Sequence, residues 1–107
     1  MLPKKLKILG RTFLVKNEKV PGYEDDNTLT LGLCVHQDQV IIVNPDLHEE
    51  QQASILLHEW VEAVNAIMGL HLAHHKIDSL EVALYDLLAH NKMDWVKGDT
   101  AGAGWPD

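Results

Sequence analysis

Between positions 29 and 43 the apolar side chains fall on every second residue: Leu29, Leu31, Leu33 and Val35 alternate with Thr30, Gly32, Cys34 and His36. A period of two predicts a strand with one face buried. His36, Gln37, Asp38 and Gln39 supply a turn, and Val40, Ile41, Ile42 and Val43 form the returning strand. The segment 29–43 therefore reads as a β-hairpin. Upstream, 6–15 reads as a strand with imperfect alternation and a weak point at Gly10. The intervening 17–27 is polar and carries Pro21-Gly22 and the acidic run Glu24, Asp25, Asp26, which makes it a loop.

After Asn44-Pro45-Asp46 the period changes. Ala53, Leu57, Trp60, Val61, Val64 and Met68 recur at helical spacing and predict a helix over 46–68. Asp46 and Glu49 have the spacing of a capping box, and Gly69 ends the run. A His-rich connection, 69–76, leads to a second predicted helix over 78–91, with Leu80, Leu84, Leu87, Leu88 and Asn91 down one side. The segment 98–107 is rich in small residues and is expected to be disordered. The pattern predicts an α+β fold: a small antiparallel β-sheet followed by two packed helices, in a single domain over 1–97.

Composition narrows the function. With 107 residues there is room for one core, and the formal net charge of −7 argues against the phosphate backbone of nucleic acid as a partner. Lys4, Lys5, Lys7 and Arg11 read as the solvated face of a strand. No apolar run is long enough for a membrane span and no signal-peptide core follows Met1, so a cytoplasmic protein is the expectation. The single cysteine, Cys34, excludes an internal disulfide and a cysteine-based zinc knuckle, and reads as a small buried hydrophobe. Seven histidines is a high number for this length.

The chemistry concentrates in Leu56-Leu57-His58-Glu59-Trp60-Val61-Glu62, one residue away from the H-E-x-x-H motif of zinc hydrolases. Residues four apart stack on one helix face, so His58 and Glu62 can hold one metal ion. Glu59 points about 100° further round the helix, where it can serve as general base to water. Glu62 stands where the motif has a second His, and a carboxylate is still a zinc ligand. Against this stands a plainer reading, in which His58, Glu62 and Asn65 are a solvated polar line beside the apolar stripe.

The stretch 40–59, a strand ending at Asn44 and a short turn into a helix carrying His58-Glu59, resembles the approach to the zinc motif in the ImmA/IrrE metallopeptidase family. Downstream, His58-Glu59-x-x-Glu62-Ala63-x-Asn65, followed by 72–85, resembles short phage and prophage proteins with H-E-x-x-E. The resemblance spans about 29–91. It implies a minimal zincin-like scaffold, a bound Zn2+ or other divalent metal, and a protein or peptide substrate of the regulatory kind, such as a repressor.

A third ligand comes from beyond the first helix. Glu81 lies near the separation at which glutamate-type zincins supply theirs, on a mainly apolar face where a carboxylate needs a cation or donor. It can also complete a capping box with Asp78. His74, in the expected turn with His71 and His75, is the alternative; His58, Glu62 and His74 would carry less negative charge than His58, Glu62 and Glu81. Tyr85 reads as a core-edge aromatic, and His36, His48 and His90 as surface residues. Two functions follow. One is a zinc-dependent peptidase in which Glu59 takes a proton from water, with the substrate extended along 40–43 as an edge strand. The other is a catalytically inactive binding or regulatory module with a structural metal.

Overall fold

The computed structural model describes residues 1–20 and 31–96. The tail 98–107, the first two residues of the hairpin and 21–27 of the expected loop lie outside the described residues. Residues 6–15 do not form one strand. They fold back on themselves as β1 (Lys5–Ile8) and β2 (Arg11–Lys16), antiparallel, with Ile8 opposite Arg11. Leu9 and Gly10 make the two-residue turn with φ of 51° and 82°. Such turns match the twist of the flanking strands, and Gly10 takes a positive φ without strain. Leu9 does so at a cost, which is why the alternation alone pointed to an unbroken strand.

The expected hairpin is present as β3 (Gly32–Val35) and β4 (Val40–Val43), antiparallel. The four strands lie in the order β1-β2-β4-β3, and β2 runs parallel to β4. The sheet is therefore mixed, not wholly antiparallel. Asn17 extends the parallel pair by donating from Nδ2 to the carbonyl of Val43 at 3.0 Å. One consequence corrects the sequence reading: 40–43 is an interior strand, and β3 is the edge.

Helix α1 (Glu49–Met68) starts three residues later than the expected 46. Asn44 Oδ1 accepts the Asp46 N–H at 2.9 Å, and Gln52 Nε2 donates to the Leu47 carbonyl at 2.7 Å. These bonds hold the approach as an elbow, and His48 becomes the N-cap, with its N–H donating to Gln51 Oε1 at 3.4 Å. The Asp46 carboxylate faces Lys19 Nζ at 3.8 Å instead of capping the helix. Gly69, at φ 61°, ends α1, and Leu70 N–H donates to the Asn65 carbonyl.

Helix α2 (His74–Ala89) starts four residues before the expected 78, with Ala73 at its N-cap. His74 and His75 are thus in its first turn and not in the connection. Asp78 and Glu81 lie inside the helix, so their spacing is not a capping box. A short 3-10 turn follows at Asp94–Val96.

The core forms where α1 lies on the sheet. Ile8, Phe13, Ile41 and Val43 meet Leu56 and Ala63, with Val15, Trp60 and Ile67 partly buried round them. Each fully buried apolar side chain contributes about 1.5–3 kcal/mol. On α1 the buried residues are Leu56, Glu59, Val61 and Ala63; Trp60 and Val64 of the expected stripe also pack against the core, and its last member, Met68, is exposed. In α2 only Ile77 is buried, while Leu80, Leu87 and Leu88 are largely exposed. Among the described residues no helix is long and apolar enough to cross a membrane.

Candidate metal centre

Edge strand β3 and the two helices enclose a cavity of about 480 Å³. The strand contributes Gly32 and Cys34, with His36 beyond its end. Ile55, His58, Glu59 and Glu62 recur at three- and four-residue spacing on α1 and face the space together. His74, Asp78 and Glu81 do the same on α2. The polar line of α1 is therefore not a solvated face. It is turned towards a matching polar line on the neighbouring helix.

His58 joins the two lines. Its Nδ1 lies 2.8 Å from Glu81 Oε1 and 3.4 Å from Asp78 Oδ1. Its other nitrogen, Nε2, lies 4.0 Å from Glu62 Oε1. That same Glu62 oxygen is 3.8 Å from His74 Nδ1. The two imidazoles stand edge to face with centroids 5.4 Å apart.

These atoms form two overlapping sets capable of holding an ion: His58, Glu62 and His74, or His58, Asp78 and Glu81, with ligand atoms within 4.8 Å of one another in each set. They differ in what their oxygens already do. Both oxygens of Glu81 have hydrogen-bond partners, Ser54 Oγ at 2.5 Å and His58 Nδ1 at 2.8 Å. Glu62 Oε1 is shut off from solvent and has no hydrogen-bond partner among the described residues. Leaving a buried carboxylate oxygen unpaired costs on the order of 1–3 kcal/mol or more. Four-coordinate zinc with bonds of about 2.0–2.1 Å places its donors about 3.4 Å apart. The 4.0 and 3.8 Å separations round Glu62 Oε1 are too long for hydrogen bonds and need only a small closure to meet that spacing. The residues present fit a divalent metal. No family model matches the chain, and no curated protein or solved structure matches it.

Glu59, about 100° round the helix from His58, lines the cavity from a buried position. It is 7 % exposed and turned to β3, where a Cβ built on Gly32 would stand 3.5 Å from Glu59 Oε2. Burial pushes its pKa up to about 7; His58 opposes the rise, and Glu62 and Glu81 add to it. The same surroundings act on Cys34, raised to about 12 by burial and by Glu59 and Glu62. Its thiol stays protonated, which removes it as a nucleophile. It is half-buried rather than buried, packing one side against the core and walling the cavity with the other.

All five residues singled out from the sequence, His58, Glu59, Glu62, His74 and Glu81, line the one cavity. Asp78, Ser54 and His36 were missed as neighbours of the site. Asp78 sits four residues after His74 and three before Glu81, a signal that was readable once α2 was extended back to His74. Tyr85 lies apart from this cavity, beside Leu2 and Leu57, as a core-edge aromatic. Asn65 does not reach the site: its Oδ1 accepts the Leu72 N–H at 2.9 Å and secures the connection between the helices. His90 pairs with Asp86 at 3.0 Å on the surface.

Proposed function

We propose that this protein is a zinc-dependent hydrolase acting on peptide bonds, with His58, Glu62 and His74 holding the ion and Glu59 as general base. The observation that carries the reading is Glu62 Oε1, buried, without a hydrogen-bond partner among the described residues, and set between histidines from two helices. Two imidazoles and one carboxylate are the donor set of several catalytic zinc sites, and they leave a fourth position open. One carboxylate also leaves the ion with net positive charge. Zinc in such a set supplies Lewis acidity, activating water near neutral pH and polarising a carbonyl.

Glu59 accepts the proton lost by water and returns it to the departing amine, the task of a positioned carboxylate general base. Strand β3, beside the cavity and without an outer partner strand among the described residues, supplies backbone groups for an extended peptide. The resemblance of 40–59 to the ImmA/IrrE approach supports a peptidase and a regulatory protein as substrate. The test is Glu59→Gln assayed on a degenerate peptide library by mass spectrometry. Zinc binding is retained and cleavage falls by about 10²–10⁴-fold. Equal cleavage by parent and variant removes Glu59 from catalysis.

A second reading keeps the ion and drops the reaction. Because α2 buries only Ile77, an ion bridging Glu62 and His74 would tie it to α1, as metals do in small domains. That reading predicts no cleavage of any library peptide and a loosened α2 on chelation.

A further inference from the structure

Two sets of ligating side chains share His58, and a neutral imidazole has only one free lone pair to give. Which nitrogen is free is decided by what holds the other. On the α2 side, Glu81 receives a hydrogen bond from Ser54 Oγ at 2.5 Å through Oε2 and lies 2.8 Å from His58 Nδ1 through Oε1. Ser54 is one helical turn before His58 on α1, so both donors come from one face of that helix. The His58 and Glu81 side chains are 14 % and 16 % exposed, whereas Asp78, the other carboxylate near Nδ1, is 58 % exposed. An ionised carboxylate only accepts, so the proton of the His58–Glu81 pair belongs on Nδ1.

We propose that Glu81, held by Ser54, is a positioning residue that fixes His58 as its Nδ1–H tautomer and aims Nε2 at Glu62 and His74. This rests on the metal set proposed above and assigns Glu81 a role other than ligand. Metal-binding histidines characteristically donate their second N–H to a carboxylate, which sets the ring and raises its basicity. The assignment also separates the two candidate sets. An ion at Asp78 and Glu81 would have to take the Nδ1 lone pair and break the hydrogen bond to Glu81. The two sets are therefore alternatives, and Ser54 and Glu81 select the one containing Glu62.

The experiment pairs zinc affinity, by chelator competition, with the His58 tautomer, read from its imidazole ¹⁵N shifts in metal-free protein and assigned by their loss in His58→Gln. The parent shows protonated Nδ1 and unprotonated Nε2. Glu81→Ala weakens zinc by 10–100-fold while keeping one ion per chain, and loses the fixed tautomer. Ser54→Ala shifts both readouts in the same direction by a smaller amount, and serves if Glu81→Ala does not fold. Protonated Nε2 in the metal-free parent overturns the proposal. So does complete loss of zinc in Glu81→Ala, which would make Glu81 a ligand, or an affinity unchanged within twofold. If the parent binds zinc and cleaves nothing, the hydrolase reading falls and this one stands. If it binds no zinc, the metal reading falls and the tautomer still decides the role of Glu81.

Discussion

Glu62 Oε1 on α1 and His74 Nδ1 on α2 lie 3.8 Å apart, too far for a hydrogen bond and close enough to share an ion. The contact depends on α2 beginning at His74, because only a helical first turn brings that side chain back against α1. His58, one turn before Glu62 on α1, would complete the proposed set, and its Nδ1 side meets Glu81 at 2.8 Å.

The connection between the helices should therefore matter to the metal without touching it. Asn65→Ala removes the acceptor of the Leu72 N–H. Leaving that donor unpaired costs about 1–3 kcal/mol. Chemical denaturation is expected to show this loss, and zinc affinity should fall too because His74 is less firmly placed. An Asn65→Ala protein with parental stability and affinity would show that the connection does not position α2.

At Gly32 the edge strand lies close against α1. A Cβ there would stand 2.6 Å from Ile55 Cγ2 and 3.1 Å from the Ile42 carbonyl oxygen. Gly32→Ala is expected to cost about 1–3 kcal/mol through forced displacement. Part of that cost should vanish in an Ile55→Ala background, with a coupling above about 0.5 kcal/mol. Additive effects in the double-mutant cycle would show that the two groups do not collide.

Burial of Glu59 predicts a pH dependence in the metal-free protein. Its folded pKa of about 7 lies above its ordinary 4.5, so the folded state binds the proton more tightly than the unfolded chain. The contribution is fully present below about pH 4.5 and is lost as the pH rises through about 7. It amounts to roughly 3 kcal/mol. Urea unfolding in the presence of chelator, at pH 5 and pH 8, should show the parent losing more stability than Glu59→Gln. Equal losses would mean that the carboxylate is not held in a costly environment.

Much of this was legible in the sequence, and the failures have physical causes. Helix α1 and the 29–43 hairpin rest on strong local periods, and His58, Glu59 and Glu62 come from a compact motif. The β1–β2 reversal was hidden because Leu9 occupies a positive φ that its side chain disfavours, leaving Gly10 as the only sign. The parallel pairing of β2 with β4 joins segments far apart in sequence, which no local pattern encodes. The start of α2 was misplaced because Ala73 offers no capping side chain, so the Asp46-like signal at Asp78 drew the boundary too late. That error hid Asp78 and left His74 and Glu81 as rivals, when they contact different sides of the site.

The most direct measurement is zinc K-edge X-ray absorption on protein loaded with one equivalent of zinc, in the parent and in His74→Ala. The parent is expected to show a nitrogen and oxygen shell at about 2.0–2.1 Å with the multiple scattering of two imidazoles, and no sulfur. His74→Ala should lose one imidazole and most of its affinity. A parent that retains no zinc, a shell with a single imidazole, or sulfur at about 2.3 Å from Cys34 would contradict the assignment of His58, Glu62 and His74 as the metal centre.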